Sequence, residues 1–236
     1  MLIKNKISYV FHYVPLHYLT FIAREKKLLS KEKLTELGFD DSHFRSTSKR
    51  QDRSRGFNDC IHLAVDPLPR ILLAKLKSGF PHFEIEIPST VIENNEFHLC
   101  RFNIAKARYF RGAKQSPEES DKNGRYYGDR ALPIAANDDE KEKLLTHNYG
   151  VNMIEVLVPG ELLLPDNIVI RLFSKFDYDL AKSVLNNLGV RWSLELSQTE
   201  IDYGESKVYK DSVALYLERS LNESDWMGDG LEFDRV

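Results

Sequence analysis

The sequence predicts an α+β protein, and three observations carry that prediction. Short runs rich in β-branched and aromatic residues recur along the chain. Between some of them, apolar residues return at helical spacing. The two kinds of segment follow one another too irregularly for a parallel βαβ series.

Taken in order, "ISYVFHYV" reads as a strand ended by Pro15, and Tyr18, Leu19, Ile22 and Ala23 then recur as one face of a helix. "KEKLTELGF" predicts a second short helix stopped at Gly38. "FRSTSKRQDRSRGFND" is polar and basic, with Arg45, Lys49, Arg50, Arg53 and Arg55 against Asp52 and Asp59, and reads as a loop or helix edge. "CIHLAV" is a short strand, and "RILLAKLKSG" a helical turn closed at Gly79. In "HFEIEIP", Phe83, Ile85 and Ile87 alternate with Glu84 and Glu86, the pattern of a strand with one wet face. "EFHLCRF" is a further strand. From 111 to 149 the chain is charged and rich in Gly, Asn, Asp and Ser, and a connection of that length reads as a functional loop or lid. "MIEVLV" and "NIVIRLF" are strands; "KFDYDLAKSVLNNLGV" is a helix with Leu180, Val184, Leu185 and Leu188 on one face and Gly189 as its stop. "RWSLEL" alternates, and a last helix near "SKVYKDSVALYLERSL" precedes an acidic tail.

With 236 residues, 42% of them hydrophobic, the chain can bury a sizeable core. A net charge of -3 argues against a strongly basic nucleic-acid binder while leaving room for a local basic groove. Cys60 and Cys100 lie in apolar, strand-like contexts with no CxxC spacing, which fits a reducing compartment and neither zinc nor a disulfide framework. The N-terminus lacks a signal core, and nowhere do 18 apolar residues run together. The expectation is a soluble cytoplasmic protein.

No phosphate-binding glycine loop, dinucleotide fingerprint or metal-ligand set occurs, so no metal is expected. What stands out is Glu155 within "NMIEVLVPG", because a carboxylate among buried aliphatics is costly unless it is partnered or aimed at something. His12 in the first strand and the Arg45–Arg55 cluster complete the set of candidates. Each has an ordinary reading as a packed histidine, a solvated face or the outward residue of an edge strand. Composition and spacing alone go no further than an α+β domain.

Three segments resemble the DarT-type DNA ADP-ribosyltransferases. "FHYVPLHYLTFIAREKKLLS" looks like the family's first motif, a strand ending in a histidine followed by a helix. "FNDCIHLAVDPLPRILLAKLKSG" resembles the "LHDYVPFYFxPxSPML" segment, with Asp59 and Pro67 on matching positions. "MIEVLVPGELLLPDNI" is similar to the strand whose glutamate is catalytic, and Glu155 falls on that glutamate. The motifs occur in the family's order over most of residues 9 to 175. The chain departs from the pattern where "IHLAV" replaces "VPFYF", where "RFNIAKARY" stands nearest to "TDxHAY", and at Leu28-Leu29, where a glycine is usual.

The resemblance implies an ADP-ribosyltransferase-like fold of two packed mixed β-sheets flanked by helices, spanning 1–196, with a C-terminal helix and acidic tail over 197–236. It implies NAD as co-substrate and transfer of ADP-ribose to a nucleobase, most plausibly in single-stranded DNA, by a toxin or defence effector. Glu155 would be catalytic, His12 would bind a ribose of NAD, and the backbone of Tyr13 and Val14 would lie beside it. An arginine would hold the pyrophosphate or assist the acceptor base. By spacing Arg53 comes first as a catalytic residue, then Arg50 at the cofactor, with Arg45 still open. The 111–149 stretch would be the substrate-recognition loop, in which Arg125, Tyr126, Tyr127 and Arg130 interleave cations and rings suited to an unpaired base and its phosphate. A macrodomain antitoxin is the implied partner. Two rivals stand beside this reading: the same fold acting on RNA or protein or hydrolysing NAD, and a non-enzymatic binding module.

Overall fold

The computed structural model describes residues 1–38, 57–65, 76–77, 79–100, 134–135, 137–146, 154–198, 201–203, 206–211 and 213–214. β1 (Tyr9–Pro15) takes up the first aromatic and β-branched run and ends where Pro15 removes a backbone donor. A turn of 3₁₀ helix leads into α1 (Leu19–Glu25), which buries Leu19, Thr20, Ile22 and Ala23. β2 (Lys27–Leu29) follows, and α2 (Lys31–Glu36) begins where the Ser30 hydroxyl accepts from the Lys33 amide. β3 (Cys60–Ala64), β4 (His82–Pro88), the short α3 (Ser89–Glu93) and β5 (His98–Cys100) come next.

Part of the long connection expected over 111–149 has regular structure. Ile134–Ala135 form β6 and Asp138–Thr146 form α4, whose first turn carries Asp138, Asp139 and Glu140 where the helix dipole favours acids. β7 (Glu155–Pro159), β8 (Glu161–Leu163) and β9 (Val169–Leu172) lead to the longest described helix, α5 (Lys175–Leu188), and then to β10 (Ser193–Leu196). The Ser174 hydroxyl caps α5 by accepting from the Asp177 amide, and Gly189, at φ +66°, closes it in the left-handed conformation that glycine tolerates. Its buried face is Ala181, Val184 and Leu185 together with Asp177, while Leu180 and Leu188 pack at the margin of the core.

The strands form one eight-stranded sheet, ordered β10-β9-β4-β1-β3-β7-β5-β6, and a two-stranded sheet, β2-β8. The first is mixed, because β9 and β10 run parallel across α5 and the other neighbours are antiparallel. The α+β class and the two sheets are as expected, and the sheets are unequal in size. One face of the large sheet, carrying Val10, Ile61, Leu63, Ile85, Ile87, Val156, Val158 and Ile170, packs with α1 and α5 into the main core.

Alternation in β4 does not put both acids in water. Glu84 is 1% exposed, because Arg171 of β9 lies beside it and covers it. Beyond 196 the chain is also hydrogen-bonded to the fold. The Ser197 amide donates to Leu172 O (2.8 Å), and the Tyr209 hydroxyl donates to Asp177 Oδ1 (2.7 Å). Both cysteines are free thiols and buried. Among the described residues no helix is long and apolar enough to cross a membrane.

Candidate functional site

The large sheet is two leaves joined by little. β1 pairs with β4 from Tyr9↔Pro88 through Pro15↔His82, and β3 pairs with β7 from Cys60↔Pro159 through Ala64↔Glu155. Among the described residues the register between β1 and β3 holds the single pair Phe11↔Ala64. A side chain bridges this seam: His12 Nδ1 lies 2.9 Å from the carbonyl oxygen of His62. A carbonyl accepts and never donates, so Nδ1 carries the hydrogen, and in the neutral ring Nε2 is then the acceptor nitrogen.

Glu155 opens β7, the second strand beyond the seam. Side chains directly opposite one another share a sheet face, so Glu155 lies on one face with Ala64 of β3 and Cys100 of β5. Both are small, which leaves the carboxylate room to reach along the face. It is 9% exposed, so it is not the outward residue of an edge strand. Its Oε1 lies 3.3 Å from Nδ1 of His62, and the other nitrogen of that ring, Nε2, lies 3.1 Å from Phe57 O. The apolar run around Glu155 divides between two faces of the sheet. Val156 and Val158 enter the main core, while Glu155 and Leu157 turn to the other face, where Leu157 joins Phe57, Cys60 and Cys100.

His62 links the two candidates, its carbonyl oxygen at His12 Nδ1 and its ring at Glu155 Oε1, although His12 pairs with Ile85 on the core face of the sheet and Glu155 lies on the opposite face. Sequence reading missed His62. The signal was a polar ring at an inward position of "CIHLAV", two residues from the partner of Glu155, and it becomes informative once the β3–β7 register is known. Tyr13 packs against the cluster of Leu76 and Phe173, and Val14 is buried in the main core, so Val14 can present only backbone to a ligand. Arg45, Arg50, Arg53, Arg125, Tyr126, Tyr127 and Arg130 lie outside the described residues.

Two other polar clusters have structural explanations. Arg171 is bound to Glu84, to Glu86 (3.2 Å) and to Glu195 (2.9 Å), which joins β4, β9 and β10. Burial alone would lower its pKa, and the hydrogen bonds and charges of Glu195, Glu84 and Glu86 outweigh that and raise it. Asp177 is fully buried at the start of α5, and burial pushes its carboxyl above the usual range against the pull of Tyr209 and Ser174. A cleft of about 240 Å³ lined by Leu76, Gly79, Ile201, Asp202, Tyr203 and Ser206 lies apart from Glu155. No cluster of metal-ligating side chains occurs among the described residues.

No family model matches the sequence, and no curated protein matches it by sequence. Solved structures do match its fold. DarT of Thermus sp. 2.9 in complex with ADP-ribosylated ssDNA superposes with a TM-score of 0.52 at 11% identity, over 80% of this chain and 95% of that one. The same protein in complex with carba-NAD+ gives 0.50 at 11%, over 82% and 97%. Thermosipho africanus DarTG in complex with ADP-ribose gives 0.51 at 11%, over 86% of this chain and 51% of that one, so the chain spans about half of it. At such identities the likeness establishes the fold: this chain is built as the DarT structures are.

Proposed function

We propose that the chain is an NAD-dependent ADP-ribosyltransferase that attaches ADP-ribose to a nucleobase in single-stranded DNA, acting as a toxin or defence effector. The observation that carries this reading is a buried Glu155 carboxylate linked through His62 to His12 at the seam of a DarT-like sheet. Transfer breaks the bond between nicotinamide and the ribosyl C1′, and nicotinamide leaves with the electron pair. A lone pair of the acceptor base then closes on C1′, and the base sheds a proton. Positive charge develops on the sugar between these events, and a carboxylate fixed on a strand stabilises it where water would have to reorganise.

In this role Glu155 accepts from a ribose hydroxyl. His12 keeps its Nε2 as an acceptor for the other ribose, because its Nδ1 donates across the seam. Tyr13 and Val14 lie beside it through their backbone. Arg53, Arg50 or Arg45 supplies the fork that grips the pyrophosphate or steadies the acceptor base. Arg125, Tyr126, Tyr127 and Arg130 stack and hold the unpaired base and its phosphate. A macrodomain protein that removes the modification is the expected partner, and the cytoplasm the expected compartment. Support for the acceptor comes from the Thermus sp. 2.9 DarT complex with ADP-ribosylated ssDNA.

The test is the mass of a mixed-sequence single-stranded DNA oligonucleotide after incubation with the protein and NAD. A gain of one ADP-ribose is expected, and Glu155→Gln should slow it roughly 10³-fold, the cost of losing one preorganised electrostatic group. NAD consumed with no gain on DNA points to RNA, protein or water as acceptor. No consumption, together with a melting temperature indifferent to NAD, would replace the enzyme by a binding module.

A further inference from the structure

We infer that His62 is a positioning residue for Glu155: its ring, protonated on both nitrogens, is clamped between the Phe57 carbonyl and the Glu155 carboxylate and sets the direction in which Glu155 faces. The catalytic consequence rests on the role proposed for Glu155, whereas the clamp itself does not.

The argument is one of donors and acceptors. Nε2 lies 3.1 Å from Phe57 O, which can only accept, so Nε2 bears a hydrogen. A neutral ring with that hydrogen on Nε2 would turn a bare lone pair on Nδ1 towards Glu155 Oε1, 3.3 Å away. Two acceptors would then face each other in a place where the side chains are only 17% and 12% exposed and water screens little. One proton between them removes the conflict. An imidazole is ordinarily a stronger base than a carboxylate by about two pKa units, so the ring holds that proton and both its nitrogens donate.

Geometry makes the clamp rigid. His62 stands opposite Leu157 and one step along the same face from the Ala64↔Glu155 pair, so ring and carboxylate meet diagonally across a five-position ladder. The His62 carbonyl is itself held by His12. With Oε1 held at Nδ1, the carboxylate is anchored at one oxygen and the directions open to Oε2 are narrowed. The residue belongs to this chain's own pattern, since "IHLAV" stands where the resembling segment has "VPFYF".

Two measurements on the full chain test this. In ¹⁵N-labelled protein at neutral pH, both ring nitrogens of His62 should show the shifts of N–H. In Glu155→Gln the ring should return to the neutral Nε2–H tautomer, because the new amide can donate to a bare Nδ1. A neutral ring in the wild type, or one indifferent to Glu155→Gln, overturns the clamp. In transfer assays, His62→Leu should lower kcat roughly 10- to 100-fold, the range for losing a group that orients another, with KM for NAD little changed. His62→Asn, whose amide can replace Nδ1–H, should recover most of that loss, whereas His62→Gln, whose amide reaches towards Phe57 instead, should not. Equal losses in all three variants would overturn the positioning role. A wild type that transfers no ADP-ribose sinks the proposed function, while the ring state still decides the clamp.

Discussion

Glu84 and Glu155 are both carboxylates set in strands of aliphatic residues, and the fold treats them differently. Glu84 lies under Arg171, which also takes Glu86 and Glu195, so its charge is neutralised within the sheet. Glu155 is held by a histidine at the seam of two leaves. Sequence reading singled out Glu155 and took Glu84 for a wet residue, because alternation reports which face a side chain is on and says nothing of what covers that face. The covering arginine is 87 positions away. His62 was illegible for the same reason, since its meaning depends on a strand 93 positions on. Removing the cover has a definite outcome. Arg171→Met removes the cation bound to a carboxylate that is 1% exposed and should lower unfolding free energy by roughly 3 kcal/mol, the low end for breaking a buried pair. Changing Glu84 to Leu in the same chain should restore most of that in urea titrations. If the single variant unfolds at the wild-type midpoint, Glu84 is not held by that arginine.

At the scale of elements, length decided what could be read. β4 and α5, of seven and 14 residues, show their periods plainly. β2, β8 and β6, of three, three and two residues, are too short for any period and exist because neighbouring chain supplies their partners. The capped start of α5 carries a pH-dependent strain. Burial raises the pKa of Asp177 above 3.8, so the folded state holds its proton more tightly than the unfolded chain does. Stability from this group is therefore complete below about pH 3.8 and is lost as pH rises through the raised value. Asp177→Asn removes the titration and adds a constant offset. The stability of the wild type relative to that variant should fall as pH rises from about 3.8 in urea titrations, by at most about 1.4 kcal/mol for each pH step of one, the limit for a single proton. An unchanging gap refutes the assignment.

Across the whole molecule, neither strand order nor the seam was legible, since both depend on pairings between segments far apart in sequence. The resemblance supplied the fold class without its topology. In the structure the chain passes between the leaves four times, from β1 to β3, β3 to β4, β4 to β5 and β7 to β9. Neither leaf is a continuous stretch of chain, so the two are expected to form together. Calorimetry should accordingly show one transition with matching van't Hoff and calorimetric enthalpies, despite a sheet nearly divided in two. Two separate transitions would mean that the leaves are independent units.

The Phe11↔Ala64 bridge, the one β1–β3 pair among the described residues, acts like the spine of a book. Bending is easiest along such a line, and His12 stands on one page while Glu155 stands on the other. A ligand that touched both residues, as proposed above, would tie the pages together across a spine built from two residues outside the candidate set.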